Sequence, residues 1–341
     1  MSLISRIQEF ITAVGSDIKL ISTTLTKKEN VLIEGNNISI DRTNPDAPVI
    51  SATAGGSVGP TIDLPKNDAP GVPALNNVRL FGRFVAGRML PAFVGPSGLD
   101  SSIQPFIARN KIAWANPTGN GTTISTMGIT LSATGTATGA NVATTNIHTA
   151  MRRIEYAVAT AAATAVAGFR SAALQFFIGG PGVPFGGFMF ITRFGPSRGV
   201  AANATRRMFM GMSSITGAPT DVNPSTAMTN CIGVCCDAGD TNWHFVHRAG
   251  TAAASKVDTG FSKLTNDNST MYELVIFTPP SSTEVYMSFT NLATGAVVEY
   301  SSSSNMPAAN QLLAPSGYAS VGGVSSVIGI SLASMYIETD Y

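Results

Sequence analysis

The run Ile4-Ser5-Arg6-Ile7-Gln8-Glu9-Phe10-Ile11-Thr12-Ala13-Val14-Gly15-Ser16-Asp17-Ile18-Lys19-Leu20-Ile21-Ser22-Thr23-Thr24-Leu25 sets the reading of the whole chain. Within it Ile4, Ile7, Ile11, Val14, Ile18, Ile21 and Leu25 follow one another at alternating steps of three and four. That is the period of a coiled-coil seam, and it predicts a helix over residues 1–30 with one apolar stripe. Isoleucine at both seam positions favours three or four strands over two, and three is the expected number. The alternative is a single amphipathic helix lying on the head of its own chain. Ser5 with Gln8 suggests a capping box, with Ser2 as a competing cap. Gly15 inside the stripe costs the helix about 1 kcal/mol.

Downstream, over 31–75, the helical period stops. Val31-Leu32-Ile33 and Ile38-Ser39-Ile40 read as short strands around Gly35-Asn36-Asn37. Asn44-Pro45-Asp46-Ala47-Pro48 reads as a second turn and Val49-Ile50-Ser51-Ala52 as a third strand, before Gly55-Gly56 and prolines 60, 65, 70 and 73. With so few large side chains, one copy cannot offset its own ordering entropy. The stretch is either a linker or a thin intertwined β shaft of three copies, and the neighbouring seam favours the shaft.

Gly35-Asn36-Asn37-Ile38-Ser39-Ile40-Asp41 followed by Asn44-Pro45-Asp46-Ala47-Pro48-Val49-Ile50-Ser51-Ala52 resembles a shaft motif of the tail fibres of tailed bacteriophages. Phe10-Ile11-Thr12-Ala13-Val14-Gly15-Ser16-Asp17-Ile18-Lys19 is similar to the N-terminal attachment helix of the same proteins. Gly87-Arg88-Met89-Leu90-Pro91-Ala92-Phe93 is similar to a segment that precedes their head. The resemblance implies a homotrimeric virion component made in the host cytoplasm. Its N-terminus would be held by a tail or baseplate protein, and its C-terminal head would face the host.

Residues 76–111 alternate Arg79, Arg83, Arg88 and Arg109 with Leu80, Phe81, Phe84, Met89, Leu90, Phe93 and Phe106. They read as an irregular collar, its aromatics buried under the head and its arginines pairing at subunit boundaries. Basic and aromatic residues interleaved in this way also suit single-stranded nucleic acid. A net charge of +1 supplies no field to collect it, so no nucleic-acid partner is expected.

From 112 to 341 short β-runs alternate with Gly, Pro, Asn and Ser turns. The candidate strands are 153–159, 174–178, 187–194, 207–212, 231–236, 242–247, 271–278, 284–291, 296–300 and 327–337. Phe188, Phe190 and Thr192 alternate with Met189, Ile191 and Arg193, the period of a half-buried strand. The prediction is a mainly β chain ending in an antiparallel β-sandwich head, jelly-roll or lectin-like. The Ala-rich 157–167 reads as strand and loop. Charged residues are 12 % of the chain, against roughly 25 % in ordinary soluble domains, which also fits a turn-rich β protein. No long-period repeat of the β-helix kind occurs, which counts against a depolymerising tailspike.

Met1 to Phe10 carries Arg6 and Glu9 and does not read as a signal peptide. Tyr156 to Phe169 is too short and too rich in Ala and Thr for a span of roughly 20 apolar residues, so no membrane insertion is expected. Cys231, Cys235 and Cys236 are too few and too odd for a disulfide framework. With Asp237, Asp240, His244 and His247 they suggest zinc only superficially. Adjacent Cys235 and Cys236 point to opposite faces of a strand, so no metal is predicted. Asp237-Ala238-Gly239-Asp240-Thr241-Asn242-Trp243 reads as a hairpin turn. Trp243 there either anchors the core or offers an aromatic platform to a sugar. Asp240, Asn242 and Trp243 are the candidate receptor-binding residues, and Ser301 to Asn305 and Gly119 to Gly139 are candidate loops.

His148, His244 and His247 are the only histidines, and no Gly-x-Ser-x-Gly, Walker or His-Glu-x-x-His pattern occurs. The expectation is a binding protein, not an enzyme, that needs no cofactor. It would hold a host surface glycan such as lipopolysaccharide, or another outer-membrane receptor. The rivals are a polysaccharide-degrading tailspike and an adaptor to another tail protein.

Overall fold

The computed structural model describes residues 2–29, 38–41, 49–52, 63–67, 70–71, 73–74, 77–94, 100–102, 111–118, 122–183, 185–198, 203–263, 268–280 and 283–339. The chain divides into two compact units, Met1–Pro65 and Lys66–Tyr341.

In the first unit a single helix runs over Leu3–Glu29, about 40 Å at about 1.5 Å per residue. Ser2 provides the cap, its Oγ accepting from the Ser5 amide at 3.2 Å. The helix therefore starts before Ser5, and the Ser5–Gln8 box is not used. Gly15 lies within the helix without breaking it. The hydroxyls of Thr12, Ser16 and Thr23 donate to carbonyls four residues back, at 2.8, 3.0 and 2.7 Å, so these polar groups need no outside partner. Ile38–Asp41 pairs antiparallel with Val49–Ala52, Ile38 opposite Ala52. The predicted strand 31–33 and both predicted turns lie outside the described residues.

In the second unit the collar is regular where the sequence predicts irregularity. Arg79–Val85, Arg88–Val94 and Asp100–Ser102 form an antiparallel three-stranded sheet. Residues two apart share a face, so Arg79, Phe81 and Arg83 line one side of their strand and Leu80 and Phe84 the other. Phe81, Ala92 and Val94 are buried together on one face, while Leu80, Phe84, Met89 and Phe93 stay exposed. Of the predicted buried aromatics only Phe81 is so, and Phe106 and Arg109 lie outside the described residues. The hairpin tip, Ala86-Gly87, holds both residues at positive φ (44° and 77°), the two-residue turn that suits strand twist. A Cβ on Gly87 would stand 2.3 Å from the Tyr286 ring, so the tip can rest on that ring only as glycine. Ala86 and Leu90 join Met189 and Val275 of the head in one apolar cluster. Arg88 ion-pairs with Glu338 of its own chain and lies 5.5 Å from the centre of the Phe277 ring. It is thus committed within the chain rather than at a subunit boundary.

The head is an antiparallel β-sandwich. In the larger sheet the strand order is Ala296–Ser302, Val285–Asn291, Tyr272–Thr278, Phe188–Arg198, Ser326–Thr339, Arg153–Ala162, Thr136–Ala140, and Lys111–Pro117 joins Ser326–Thr339 and Ile124–Met127. In the smaller sheet the order is Ser255–Ser262, Asn242–Arg248, Cys231–Cys236, Arg207–Ser213, Ala314–Ser320, Val166–Ser171, Leu131–Thr134. Phe188, Phe190 and Phe194 of one layer and Met208, Met210, Ile232 and Phe245 of the other share one core, the packing expected of facing sheets. A second, smaller core of Phe209, Met228, Cys231, Cys235, Val246 and Tyr318 covers the other face of the smaller sheet.

The Ala-rich stretch is strand to Ala162, then a turn, then strand again from Val166. The predicted strand 174–178 is not one: Phe176 makes an isolated bridge to Leu313, and Gly179-Gly180-Pro181-Gly182 follows it. The candidate loop 119–139 contributes strands to both sheets, so most of it is not a free loop. Among the described residues no helix is long and apolar enough to cross a membrane.

His148 is fully buried in the head. Burial, then the Arg153 charge, push its pKa from 6.5 down to about 4, with Glu155 opposing them. Between those values the unfolded chain binds a proton that the folded chain refuses. The stability contributed by neutral His148 is therefore complete above pH 6.5 and is lost as pH falls toward 4, by up to about 1.4 kcal/mol per pH unit. Urea titrations at pH 7.5 and 4.5 should give a lower midpoint at 4.5, and His148→Phe should flatten that difference.

Candidate functional site

Two places concentrate the candidate residues. The first is the helix seam. Ile4, Ile7, Ile11, Val14, Ile18 and Ile21 are all exposed, from 38 % at Val14 to 70 % at Ile4. Leu25 lies in the helix, but its side chain is outside the described residues. Interior helix backbone bonds within itself, so what this segment leaves uncovered is apolar: the stripe, with Leu3, Phe10 and Leu20 exposed beside it. At about 25 cal/mol per Å2 of apolar area removed from water, one isoleucine gains roughly 1.5–3 kcal/mol when covered.

The second is the hairpin joining Cys231–Cys236 to Asn242–Arg248. Asp240 Oδ2 accepts from the Asp237 amide at 2.7 Å and from Lys256 Nζ at 2.5 Å. Asp237 accepts from Ser225 Oγ at 2.6 Å and Lys256 Nζ at 2.8 Å. Burial opposes the Lys256 charge, but its hydrogen bonds to the two carboxylates outweigh that and hold its pKa above the ordinary value. Burial likewise pushes Asp237 up, and Lys256 and Ser225 bring it below the ordinary carboxylate range. Behind the turn the buried Lys263 ammonium donates to the carbonyls of Asp237 and Ala238, at 2.8 and 3.1 Å. Asn242 Nδ2 donates to both oxygens of Asp258 at 3.0 Å. The turn is thus tied internally at each polar candidate.

Trp243 is 0 % exposed. Its ring centre lies 5.7 Å from Phe194 and 5.8 Å from both Tyr272 and Phe289, within the range of aromatic pairing. It is the core anchor of the two alternatives, and it offers no face to a sugar. Of the three predicted receptor-binding residues, Trp243 is buried, and Asp240 and Asn242 hydrogen-bond within their own chain.

The three cysteines are free and buried, and Cys235 and Cys236 fall in different cores, on opposite faces of their strand. Burial pushes the Cys231 and Cys236 thiols up to about 12, which leaves them unreactive at neutral pH. His244 Nδ1 lies 3.6 Å from Asp240, an oxygen that Lys256 already holds. His247 stacks on Tyr300 and contacts its hydroxyl at 3.0 Å. Among the described residues no three His, Cys, Asp or Glu side chains gather as metal ligands. In the loop 301–305, Ser301 and Ser302 end a strand, and Asn305 bonds Ala253 O and Ser255 Oγ at 2.8 and 3.0 Å.

No protein-family model matches the chain, and no curated protein sequence matches it. Solved structures do. A protein of unknown function from Shewanella oneidensis aligns at 16 % identity over 67 % of this chain and 86 % of its own, with a TM-score of 0.44. Peanut lectin, crystallised with a nine-residue peptide, aligns at 13 % identity over 67 % and 97 %, with a TM-score of 0.43. Lectin I of Ulex europaeus, in complex with the methyl glycoside of α-L-fucose, aligns at 14 % identity over 68 % and 98 %, with a TM-score of 0.41. Scores this low carry no functional argument.

Proposed function

We propose that this chain is a homotrimeric tail fibre of a tailed bacteriophage. Its N-terminal helix joins three copies and attaches them to the tail, and its sandwich head binds a glycan on the host surface without chemical change. The observation that carries the reading is the unbroken helix Leu3–Glu29 with its exposed isoleucine stripe. A stripe of period three and four is satisfied by copies of itself. The resemblance of the segments at 10–19, 35–52 and 87–93 to tail-fibre sequences supports the same conclusion. A trimer also supplies strength: single weak sites gain from simultaneous engagement, and avidity exceeds single-site affinity by roughly 10²–10⁴.

The test uses the full chain on a panel of purified bacterial lipopolysaccharides and capsular polysaccharides. Saturable binding with no new reducing ends is expected. New reducing ends would identify a depolymerase. Absence of glycan binding, together with capture of another tail component, would identify an adaptor.

A further inference from the structure

A groove lies on the outer face of the larger head sheet, between the collar hairpin and the strands Val285–Asn291 and Ala296–Ser302. Its main part encloses about 450 Å3 and its continuation toward the hairpin tip about 230 Å3, and Phe84 and Glu299 line both. A volume of that order suits a small ligand, for which sites run roughly 300–1,000 Å3.

Strand register fixes the floor. Val275 pairs with Ser288 and Ser288 with Glu299; two residues along, Glu273 pairs with Thr290 and Thr290 with Val297. Neighbouring strands stand about 4.8 Å apart, so each row presents polar groups at about that spacing. Among the described residues the Ser288 and Thr290 hydroxyls and the Glu299 carboxylate have no hydrogen-bond or ion-pair partner. Glu273, by contrast, is held by Arg193 at 2.6 Å. The opposite wall is the collar: Phe84 is 38 % exposed, with Lys66 Nζ over one face of its ring, 5.0 Å from the centre.

An aromatic face opposite a row of hydroxyl and carboxylate groups matches a pyranose, which has an apolar C–H face and a rim of hydroxyls. A carboxylate accepts hydrogen bonds from sugar hydroxyls and is strengthened by its charge. An apolar peptide laid here would strip water from Glu299 and Thr290 without replacing it. The charges that line the groove are mixed, Lys66 and Arg83 beside Glu273 and Glu299, so it offers no one-signed field to select a polyion. We infer that this groove holds a short segment of a hydroxyl-rich saccharide, with Phe84 stacking on a sugar ring and Glu299 and Thr290 bonding its hydroxyls. The inference rests on the glycan-binding reading for its ligand class and deepens it by locating the site away from the 237–243 hairpin.

The test takes the panel polysaccharide that the full wild-type chain binds best, and measures its affinity for Glu299→Gln, Thr290→Val and Phe84→Ala. Glu299→Gln keeps the side chain's shape, and thermal unfolding of each variant reports whether the head stays folded. Loss of at least about tenfold in affinity, at an unchanged melting temperature and mass, is the expected result. Wild-type affinity in folded Glu299→Gln and Thr290→Val would overturn the groove while leaving the glycan-binding reading intact. A wild-type chain that binds no glycan on the panel would remove that reading and the groove with it. Variants that change the assembled mass and not the glycan affinity would show a neighbouring copy seated there, which also overturns the inference.

Discussion

Trp243→Ala is expected to lower the unfolding free energy of the head by about 3–5 kcal/mol, the range for removing a buried Trp or Phe side chain. For a domain of this size that corresponds to a drop of roughly 6–20 °C in thermal midpoint. The cause is geometric: the indole is wholly buried, with Phe194, Tyr272 and Phe289 around it, and rigid neighbouring strands cannot collapse into the space it leaves. Trp243→Phe keeps most of the volume and should cost less. Near-ultraviolet circular dichroism followed with temperature measures both. A normal midpoint combined with lost glycan binding would restore the platform role that burial denies to this residue.

The double substitution Ile11→Asp with Ile18→Asp is expected to abolish assembly. Each change removes about 1.5–3 kcal/mol of apolar burial per copy and places a carboxylate where it must shed water without a partner. The variant should run as single chains while its head melts as before. Its affinity for one soluble oligosaccharide should be unchanged, and its hold on a cell surface should fall by roughly 10²–10⁴ as multivalency is lost. Static light scattering and whole-cell binding make the two comparisons. Equal cell binding by variant and wild type would separate the seam from receptor engagement.

What the sequence discloses here follows from how local each signal is. The helix is legible because its stripe repeats within seven residues and a short window contains it. Phe188–Arg198 is legible because it opens with a short unbroken apolar run, and Val285–Asn291 because Val285, Met287 and Phe289 alternate with Tyr286, Ser288 and Thr290. Ala314–Ser320 is not: all seven residues are buried, and most are Ala, Ser, Gly or Pro. One of its faces lies on the main core and the other under the smaller core, which erases the two-residue contrast. Val166–Ser171 is hidden in the same way. Gly168 there approaches its neighbour so closely that a Cβ would stand 2.3 Å from Gly317 O, so small residues mark contact, not exposure.

The collar shows the opposite error. Its charged and aromatic alternation is visible, but an intrachain partner for Arg88 is 250 positions away at Glu338. Within the hairpin 237–243 the turn is legible from Asp, Gly and Asn. That its carboxylates are spent on Lys256 is not, since Lys256 arrives from the next strand. The groove at Phe84 and Glu299 depends on strand register and on the docking of the collar, neither of which any single stretch encodes.

Three copies clasped along the stripe from Ile4 to Ile21 are the premise of the whole account, and mass decides it. Multi-angle light scattering on the full chain at micromolar concentration should give about three times 35.3 kDa. A mass near 35.3 kDa would contradict the account and favour the alternative of one amphipathic helix covered by its own chain.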